Sequence, residues 1–254
     1  MSTVKPVHRK LRVVSNKRLA SDHYLLELEV DENISLLPGQ FLQLRLEDGM
    51  QFLRRPFSIF DCENEIIKIL YKLRGNVTAL MSKVKKSDLV DVIFPLGNHF
   101  PQPEKGKVVL VSGGTGFAPL HFLAKELLNN KNLTLEFLIG GKGSEVEAFK
   151  NFLPSAVSVK IATENGSAGE KGLVTDLIAD IEGWIYSAGP IAMLKTVYEK
   201  IKVRENPAYF SFEAHFACGL GLCWGCVLPT REGFVRVCKE GPVFSPYVVK
   251  WEEI

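Results

Sequence analysis

Short apolar runs separated by turn residues follow one another through the first hundred residues of the chain. The turns are marked by Leu-Pro-Gly at 37–39, Asp-Gly at 48–49 and Pro-Leu-Gly-Asn at 95–98. Several short strands with this spacing are typical of an antiparallel sandwich or small barrel. We therefore predict strands at 10–14, 23–29, 40–45, 57–60, 65–73 and 91–94, with one short helix at 78–86.

The pattern changes after a polar segment at 101–106, which reads Pro-Gln-Pro-Glu-Lys-Gly. From there, strand-like apolar runs alternate with segments of helical periodicity. Such alternation is typical of a parallel sheet covered by helices on both faces. We predict strands at 107–111, 133–139, 157–162, 184–187 and 209–213, and helices at 119–129, 145–152, 174–180 and 191–203.

These patterns divide the chain into three parts and indicate an α+β protein with several domains. An antiparallel β-barrel domain is predicted at 1–101 and a parallel α/β domain at 102–208. A small cysteine-containing module is predicted at 209–254.

The composition argues against several classes of protein. The chain has 254 residues, of which 46% are hydrophobic and 24% charged, as in ordinary globular proteins. A net charge of +2 gives no reason to expect a nucleic-acid partner. We expect no membrane span, because no apolar stretch approaches about 20 residues. The N-terminus lacks the apolar segment of a signal peptide, and we expect a cytoplasmic location, where thiols stay reduced.

Four of the five cysteines carry the strongest chemical signal. Cys218, Cys223 and Cys226 have the spacing C-x4-C-x2-C, and Cys238 follows after 11 further residues. This is the plant-type arrangement of ligands for a [2Fe–2S] cluster. Zinc sites usually present two short cysteine pairs, and only one is present here. Zinc, a disulfide and unliganded thiols remain as alternatives, and Cys62 is interpreted as a small core residue.

Two glycine-containing turns suggest a dinucleotide site. The first, at 112–119, reads Ser-Gly-Gly-Thr-Gly-Phe-Ala-Pro and joins a predicted strand to a helix, a context in which backbone N–H groups bind phosphate. The second, Ser-Ala-Gly-Pro at 187–190, ends a later strand, where open α/β sheets bind ligands. Either could be an ordinary turn, but together they outline a crevice.

A third motif, Arg-Arg-Pro-Phe-Ser at 54–58, begins a predicted strand of the β domain. A guanidinium can hold a pyrophosphate with two hydrogen bonds, and the serine hydroxyl can donate to a ring nitrogen. The alternative is a surface arginine pair beside an edge strand.

Taken in order, these motifs resemble those of the ferredoxin–NADP reductase superfamily, which has R-P-x-S, then G-G-T-G-x-A-P and A-G-P. The cysteine loop at 218–226 and the segment Val-Cys-Lys-Glu-Gly-Pro-Val-Phe at 237–244 are similar to one group of members. These are the electron-transfer subunits of class 1B dihydroorotate dehydrogenases. Segments 95–100 and 162–172 match them as well.

The resemblance implies a flavin-binding β-barrel, a Rossmann-like nicotinamide domain and a [2Fe–2S] module, with FAD, NAD and the cluster as cofactors. Arg55 is expected on the FAD pyrophosphate and Ser58 near the flavin N5. Val77 stands where the family usually has glycine. The full set of implied cofactor contacts is Arg55, Pro56, Phe57, Ser58, Leu70, Tyr71, Lys72, Val77, Thr78, Gly113, Gly114, Thr115, Gly116, Gly189 and Pro190, and the implied cluster ligands are Cys218, Cys223, Cys226 and Cys238.

The resemblance also implies a partner and a direction of electron flow. Electrons would pass from the FMN of a dihydroorotate dehydrogenase catalytic subunit through the cluster and FAD to NAD+, in pyrimidine biosynthesis. The implied assembly is a heterotetramer with two copies of each subunit, and no acid–base residue is assigned. Alternatives are a hydrogenase, ferredoxin or sulfur-reducing partner for the same cofactors, and a zinc-stabilised binding module.

The choice between NAD and NADP depends on charges near the adenosine ribose. Glu145 and Glu164 would repel the 2′-phosphate of NADP, whereas Lys142 would attract it. The balance favours NADH.

Overall fold

The computed structural model describes residues 5–30, 34–46, 52–178 and 182–254. The predicted turn at 48–49 and the last two residues of the predicted helix at 174–180 lie outside these ranges.

Seven antiparallel strands form the first sheet, in the order β4-β3-β7-β1-β2-β6-β5. They are β1 (Val7–Arg18), β2 (His23–Glu29), β3 (Phe41–Leu46), β4 (Arg55–Ser58), β5 (Asp61–Glu63), β6 (Ile66–Lys72) and β7 (Leu89–Leu96). Side chains alternate across each strand, and the inward set, such as Leu42 and Leu44 of β3, forms a continuous apolar core. The predicted antiparallel sheet is therefore confirmed, as a curled sheet rather than a closed barrel.

The first sheet curls because its two edge strands are consecutive in the chain. Only Ile59 and Phe60 separate β4 from β5. The Ile59 N–H donates to the Gln40 carbonyl at 3.1 Å, and the Phe60 N–H donates to the Lys68 carbonyl at 2.9 Å. One continuous segment thus pairs with both sides of the sheet and draws its edges together.

The helix predicted at 78–86 is shorter and begins earlier, as α1 (Asn76–Met81). Beyond Met81 the backbone N–H groups of Lys83 and Val84 bond to carbonyls three residues back rather than four. Such tightening is how α-helices commonly end. Val84, whose apolar position favoured the longer predicted helix, therefore lies in a turn.

The second sheet also has seven strands, in the order β11-β10-β9-β8-β12-β13-β16. Its strands are β8 (Gly106–Gly113), β9 (Leu133–Gly141), β10 (Ser158–Thr163), β11 (Glu170–Lys171), β12 (Trp184–Ala188), β13 (Ala208–Ser211) and the antiparallel β16 (Val243–Phe244). All other neighbours are parallel. Helices α2 (Phe117–Leu127), α3 (Glu147–Lys150) and α4 (Ile191–Ile201) accompany it. The predicted parallel α/β sheet is confirmed.

Two predicted helices of this sheet are only partly formed. The segment predicted at 145–152 contains a 3-10 turn, Ser144–Val146, followed by the single turn of α3. The segment predicted at 174–180 contains one 3-10 turn, Val174–Leu177, which ends where Ile178 turns extended. A helix of about two turns has little stability of its own. The packing of its apolar side chains therefore determines the backbone conformation of such a segment.

The C-terminal residues attach to both sheets. Strands β14 (Val227–Thr230) and β15 (Gly233–Arg236) form a separate hairpin, while β13 and β16 belong to the second sheet. Phe41 of the first sheet shares an apolar cluster with Cys226, Cys238 and Trp251. The division at 101/102 and 208/209 stays a prediction. Within the described ranges, the structure contains no helix with the length and apolarity that a bilayer crossing requires.

Candidate cofactor cleft and cysteine loop

Three adjoining cavities lie between the two sheets. The central cavity is bounded by β4, β6 and the start of β8–α2, the helix cavity surrounds α1, and the sheet-end cavity lies over β8, β9 and β12. Their volumes are about 220, 890 and 440 Å³. Arg74, Gly189 and Glu213 line all three, so the cavities form one cleft. Its size suits more than one extended ligand.

The alternation of β4 separates the two arginines of the Arg-Arg-Pro motif. Arg54 places its Nη2 2.6 Å from the buried Asp91 carboxylate, which also contacts Arg45 at 2.9 Å. Arg55 instead lines the helix cavity, where its Nη1 donates to the Leu53 carbonyl at 2.8 Å. Arg54 therefore belongs to an ion cluster outside the cleft, whereas Arg55 lines the cleft together with Arg74.

Three consecutive residues at the end of strand β6 line the cleft, and their side chains alternate between the two faces of the strand. Tyr71 is buried in the barrel interior, where its hydroxyl donates to Asn16 Oδ1 at 3.0 Å, and burial raises the pKa of Tyr71. Tyr71 nevertheless lines the central cavity. Leu70 and Lys72, on the opposite face of the strand, also line this cavity.

The segment Gly75–Thr78 forms the start of α1 and lines the helix cavity. The Thr78 hydroxyl accepts the N–H groups of Arg74 at 2.8 Å and Gly75 at 3.2 Å. Val77 lies in the helix, and its side chain packs against the barrel core. A valine therefore suits this backbone, although the family usually has glycine there.

The two glycine turns are in direct contact. A Cβ on Gly116 would lie 2.1 Å from the Ala188 carbonyl oxygen, and a Cβ on Gly113 would lie 2.9 Å from Pro190 Cδ. Only glycine permits these approaches. All fifteen implied cofactor contacts border the cleft: Arg55, Pro56, Phe57, Ser58, Leu70, Tyr71, Lys72, Val77, Thr78, Gly113, Gly114, Thr115, Gly116, Gly189 and Pro190.

Glu213 is a cleft residue that the motifs did not identify. It follows β13 and lies where the three cavities meet, and its side chain is exposed to the cleft although protein lies on several sides of it. Burial raises the pKa of Glu213 despite the positive charge of Arg74. Its position at the carboxyl end of a parallel strand, where ligands bind in α/β sheets, was the available signal.

Replacing Glu213 by glutamine is expected to stabilise the fold slightly at neutral pH, the effect being small because the side chain is exposed to the cleft. Because the pKa of Glu213 exceeds its ordinary value of 4.5, the folded chain binds more protons than the unfolded chain between the two pKa values. Stability therefore falls as pH rises through that window. The melting temperature of Glu213→Gln should exceed that of the parent above the window, and this difference should shrink below pH 4.5. Calorimetry across this range checks it, and equal values at neutral pH would contradict it.

The cysteine loop directs backbone N–H groups at its sulfur atoms. The Leu220 and Leu222 amides each lie 3.4 Å from Cys218 Sγ, and the Gly221 amide lies 3.2 Å from Cys238 Sγ. Two further contacts of this kind are Gly225 N to Cys223 Sγ at 3.5 Å and Cys238 N to Cys226 Sγ at 3.4 Å. Hydrogen bonds to sulfur are one of the means by which proteins tune iron–sulfur clusters, so the loop fits the implied cluster.

The four thiols are arranged as two pairs. Cys218 is within hydrogen-bonding reach of Cys223, and Cys238 is within reach of Cys226. In the part of the chain that the structure describes, no group of three or more metal-ligating side chains surrounds a single point. Two thiol pairs suit a cluster in which each of two irons takes two thiolates.

The local environment divides the thiols by acidity. Burial acts to raise the pKa of Cys218, but the amides of Leu220, Cys223 and Leu222 outweigh it and lower this pKa to about 6. Burial and the neighbouring Cys226 raise the pKa of Cys238. The surroundings of Cys218 thus favour its thiolate form before any metal binds, whereas those of Cys238 favour the thiol.

Arg236 holds the loop from the β15 side. Its Nη1 donates to the Gly221 carbonyl at 2.6 Å, and its guanidinium also pairs with Glu240. The guanidinium carbon lies 4.6 Å from the ring centre of Trp224, which has φ of +55°. This contact stabilises a residue in a strained conformation between two of the cysteines.

Comparison with known proteins identifies relatives over nearly the whole chain. The dihydroorotate dehydrogenase B (NAD(+)), electron transfer subunit of Caldanaerobacter subterraneus is 39% identical over 245 residues, which cover 92% of this chain and 95% of the relative. The chain belongs to the family of dihydroorotate dehydrogenase B electron transfer subunits. The Clostridium acetobutylicum member is 36% identical, covering 95% of this chain and 94% of the relative. The resemblance drawn from the motifs is confirmed.

Two further comparisons concern the cysteine loop and the fold. Residues 213–249 match the iron-sulfur cluster binding domain of dihydroorotate dehydrogenase B. A solved NADH-dependent reduced ferredoxin-NADP oxidoreductase superposes with a TM-score of 0.86 at 26% identity, covering 96% of this chain and 90% of that chain. The ferredoxin reductase of carbazole 1,9a-dioxygenase, at 18% identity and a TM-score of 0.72, covers 83% of this chain and 70% of its own and shows the shared fold alone.

Proposed function

We propose that this protein is the electron transfer subunit of a dihydroorotate dehydrogenase B. It takes electrons from the FMN of a catalytic subunit and delivers them to NAD+ through a [2Fe–2S] cluster and FAD, in pyrimidine biosynthesis. The observation that carries this is the continuity of the cleft with the cysteine loop. Phe216 lines the central cavity and packs on Phe41 at 5.0 Å, and Cys218 follows two residues later. Two residues span at most about 7 Å.

The chain's own residues suit an extended FAD along the curled first sheet, which we interpret as a flavin-binding barrel. Arg55 and Thr78 line the helix cavity and would hold the pyrophosphate, while Ser58 offers its hydroxyl in the central cavity. A bound flavin exchanges electron pairs with NAD and single electrons with a cluster. Pro56 and Phe57 exclude water from one side of the central cavity.

The sheet-end cavity suits a pyridine nucleotide. Gly113, Gly114 and Pro190 line it where β8 and β12 end, the position at which parallel sheets bind dinucleotides. Glu145, Glu164 and Lys142 also line this cavity. Two carboxylates against one ammonium favour NAD over NADP, because the latter carries an additional phosphate.

Replacing Glu164 by serine is expected to relax this preference. Removing one exposed like charge changes the relative binding free energy by about 1 kcal/mol, so the kcat/KM ratio of NADPH to NADH should rise about fivefold. Steady-state rates of dye reduction with each coenzyme measure it. Glu170→Ser, which removes an exposed carboxylate outside the three cavities, is the matched control. An unchanged ratio in Glu164→Ser would contradict the assignment.

An apolar surface beside the cysteine loop supports docking of the catalytic subunit. Leu222 is 77% exposed, Trp224 53% and Phe234 63%, and such side chains are enriched in protein interfaces. Phe216, in contrast, packs inward on Phe41. We further propose a heterotetramer with two copies of each subunit. A cytoplasmic location agrees with the free thiols of the five cysteines.

The test combines composition with turnover. Anaerobically purified protein should contain FAD, iron and acid-labile sulfide, and its visible spectrum should show flavin and cluster bands. Mixed with the FMN-containing catalytic subunit, it should reduce NAD+ when dihydroorotate is added. Zinc in place of iron, or a colourless protein, would refute the redox role. A loaded protein without dihydroorotate-dependent turnover would refute the partner and indicate a hydrogenase, ferredoxin or sulfur-reducing partner instead.

A further inference from the structure

Gln43 lies in β3 at the junction between the cleft and the cysteine loop. The side chains of β3 alternate, so that Leu42 and Leu44 enter the barrel core. Phe41 and Gln43 lie on the opposite face, beneath the C-terminal residues. Phe41 on this face lines the central cavity and contacts Phe216. Gln43 is the next residue along the same face and leads from the cavity towards the loop.

The side-chain amide of Gln43 is buried without a hydrogen-bond partner. The residue is 0% exposed, and both its Nε2 and Oε1 are unpaired among the described residues, whereas the neighbouring Gln40 has an unpaired Nε2 but a paired Oε1. A buried amide that has lost water and found no partner is costly, so nearly all such groups in native proteins are satisfied. An apolar side chain at this position would avoid that cost. The amide therefore indicates a bonding partner that the polypeptide itself does not supply.

The cysteine loop makes room for this amide. A Cβ on Gly219 would lie 2.3 Å from Gln43 Nε2 and 2.9 Å from its Cδ. Gly219 directly follows Cys218 and has φ of +67°. Both its conformation and its missing side chain thus allow the Gln43 amide to lie against the loop. On the loop's own side, the Leu220 and Leu222 amides already point at Cys218 Sγ.

We propose that the Gln43 amide nitrogen donates a hydrogen bond to sulfur of the [2Fe–2S] cluster, either Cys218 Sγ or a bridging sulfide. Gln43 then links the flavin-binding strands to the cluster. The same hydrogen bond raises the reduction potential of the cluster. Hydrogen bonds to sulfur favour the reduced cluster because it carries more negative charge. This inference rests on the proposed function, since it requires that the four cysteines hold iron and sulfide.

The test is the midpoint potential of the cluster in the full chain, followed by electron paramagnetic resonance during an anaerobic redox titration. Gln43→Met keeps the length of the side chain and removes the donor. Gln43→Glu keeps its shape and replaces the donor by an acceptor. The control is Gln40→Met, which removes another buried glutamine whose Oε1 accepts the Leu37 N–H at 2.8 Å.

At a fixed potential, the ratio of reduced to oxidised cluster should fall about tenfold in Gln43→Met, equivalent to about 59 mV for a one-electron couple. Gln43→Glu should lower the ratio further, and Gln40→Met should leave it unchanged. An unaltered potential in a cluster-loaded Gln43→Met, or equal shifts in Gln43→Met and Gln40→Met, would overturn the inference while leaving the proposed function intact. If Gln43→Met does not fold, Gln43→Glu decides by the same measurement. A parent protein without iron and sulfide would refute both proposals.

Discussion

Replacing Cys226 by serine is expected to remove the cluster and reduce dihydroorotate-dependent NAD+ reduction to background. Cys226 is buried in the apolar cluster shared with Phe41 and receives the Cys238 N–H at 3.4 Å. A serine hydroxyl is a much weaker ligand for iron than a thiolate. The flavin site lies in the cleft rather than in the loop, so NADH-dependent reduction of a soluble dye should persist. Iron and sulfide analysis and the two rates together measure the result.

The matched control is the cysteine outside the quartet. Cys62 lies in β5, packs partly buried against the barrel core, and has a pKa that burial raises. Cys62→Ser should keep the full content of iron and sulfide and the full partner-dependent rate. Retained iron in Cys226→Ser, or its loss in Cys62→Ser, would contradict the assignment of the ligands.

Replacing Asp61 by asparagine is expected to lower the free energy of unfolding by about 2–4 kcal/mol. The Asp61 side chain is 5% exposed and accepts Lys68 at 3.1 Å and Lys125 at 2.9 Å. Lys125 lies on α2 and Asp61 on the first sheet, so the loss weakens the contact between the two sheets. In a chain of this size the melting temperature should fall by about 5–15 °C. Thermal denaturation of the purified protein measures it.

Glu63→Ala is the control for Asp61→Asn. Glu63 also pairs with Lys125, at 3.0 Å, but is 53% exposed. Exposed ion pairs contribute less than about 1 kcal/mol, so this variant should unfold near the parent temperature. Equal destabilisation of the two variants would show that the burial of Asp61 has no special effect.

The contribution of Asp61 should also disappear in acid. Burial acts to raise the pKa of Asp61, but hydrogen bonds from Lys125 and Lys68 outweigh it and lower this pKa from 3.8. A carboxyl with a lowered pKa stabilises the fold above its unfolded value and loses this effect as pH falls towards the folded one. The difference between Asp61→Asn and the parent should therefore narrow below pH 3.8.

Features encoded by local spacing could be predicted from the sequence. The four cysteines lie within 21 residues and the two glycine turns follow apolar strands, so neither needed knowledge of distant contacts. The alternation of strands and helices likewise predicted the parallel sheet, because each element buries its own apolar face. Family membership followed from the order of these motifs.

Features that depend on long-range packing could not be predicted in this way. The separation of Arg54 from Arg55 required the position of Asp91, and the meeting of three cavities at Glu213 required the relative position of the two sheets. Gln43 is separated from Gly219 by most of the chain, and a lone glutamine in a strand has no distinguishing pattern. The predicted bounds of the short helices were wrong for a related reason, because tertiary contacts rather than periodicity determine where such helices end.

The segment that joins β4 to β5 also affects how the two sheets, and therefore the two sides of the cofactor cleft, are aligned. Its Phe60 ring stacks on His121 of α2 at 4.1 Å, and His121 Nδ1 lies 3.1 Å from the Phe60 carbonyl. The segment that draws together the edges of the first sheet therefore also packs against α2 of the second sheet. The relative position of the two sheets, and with it the shape of the cleft, is thus held by packed side chains of the chain itself.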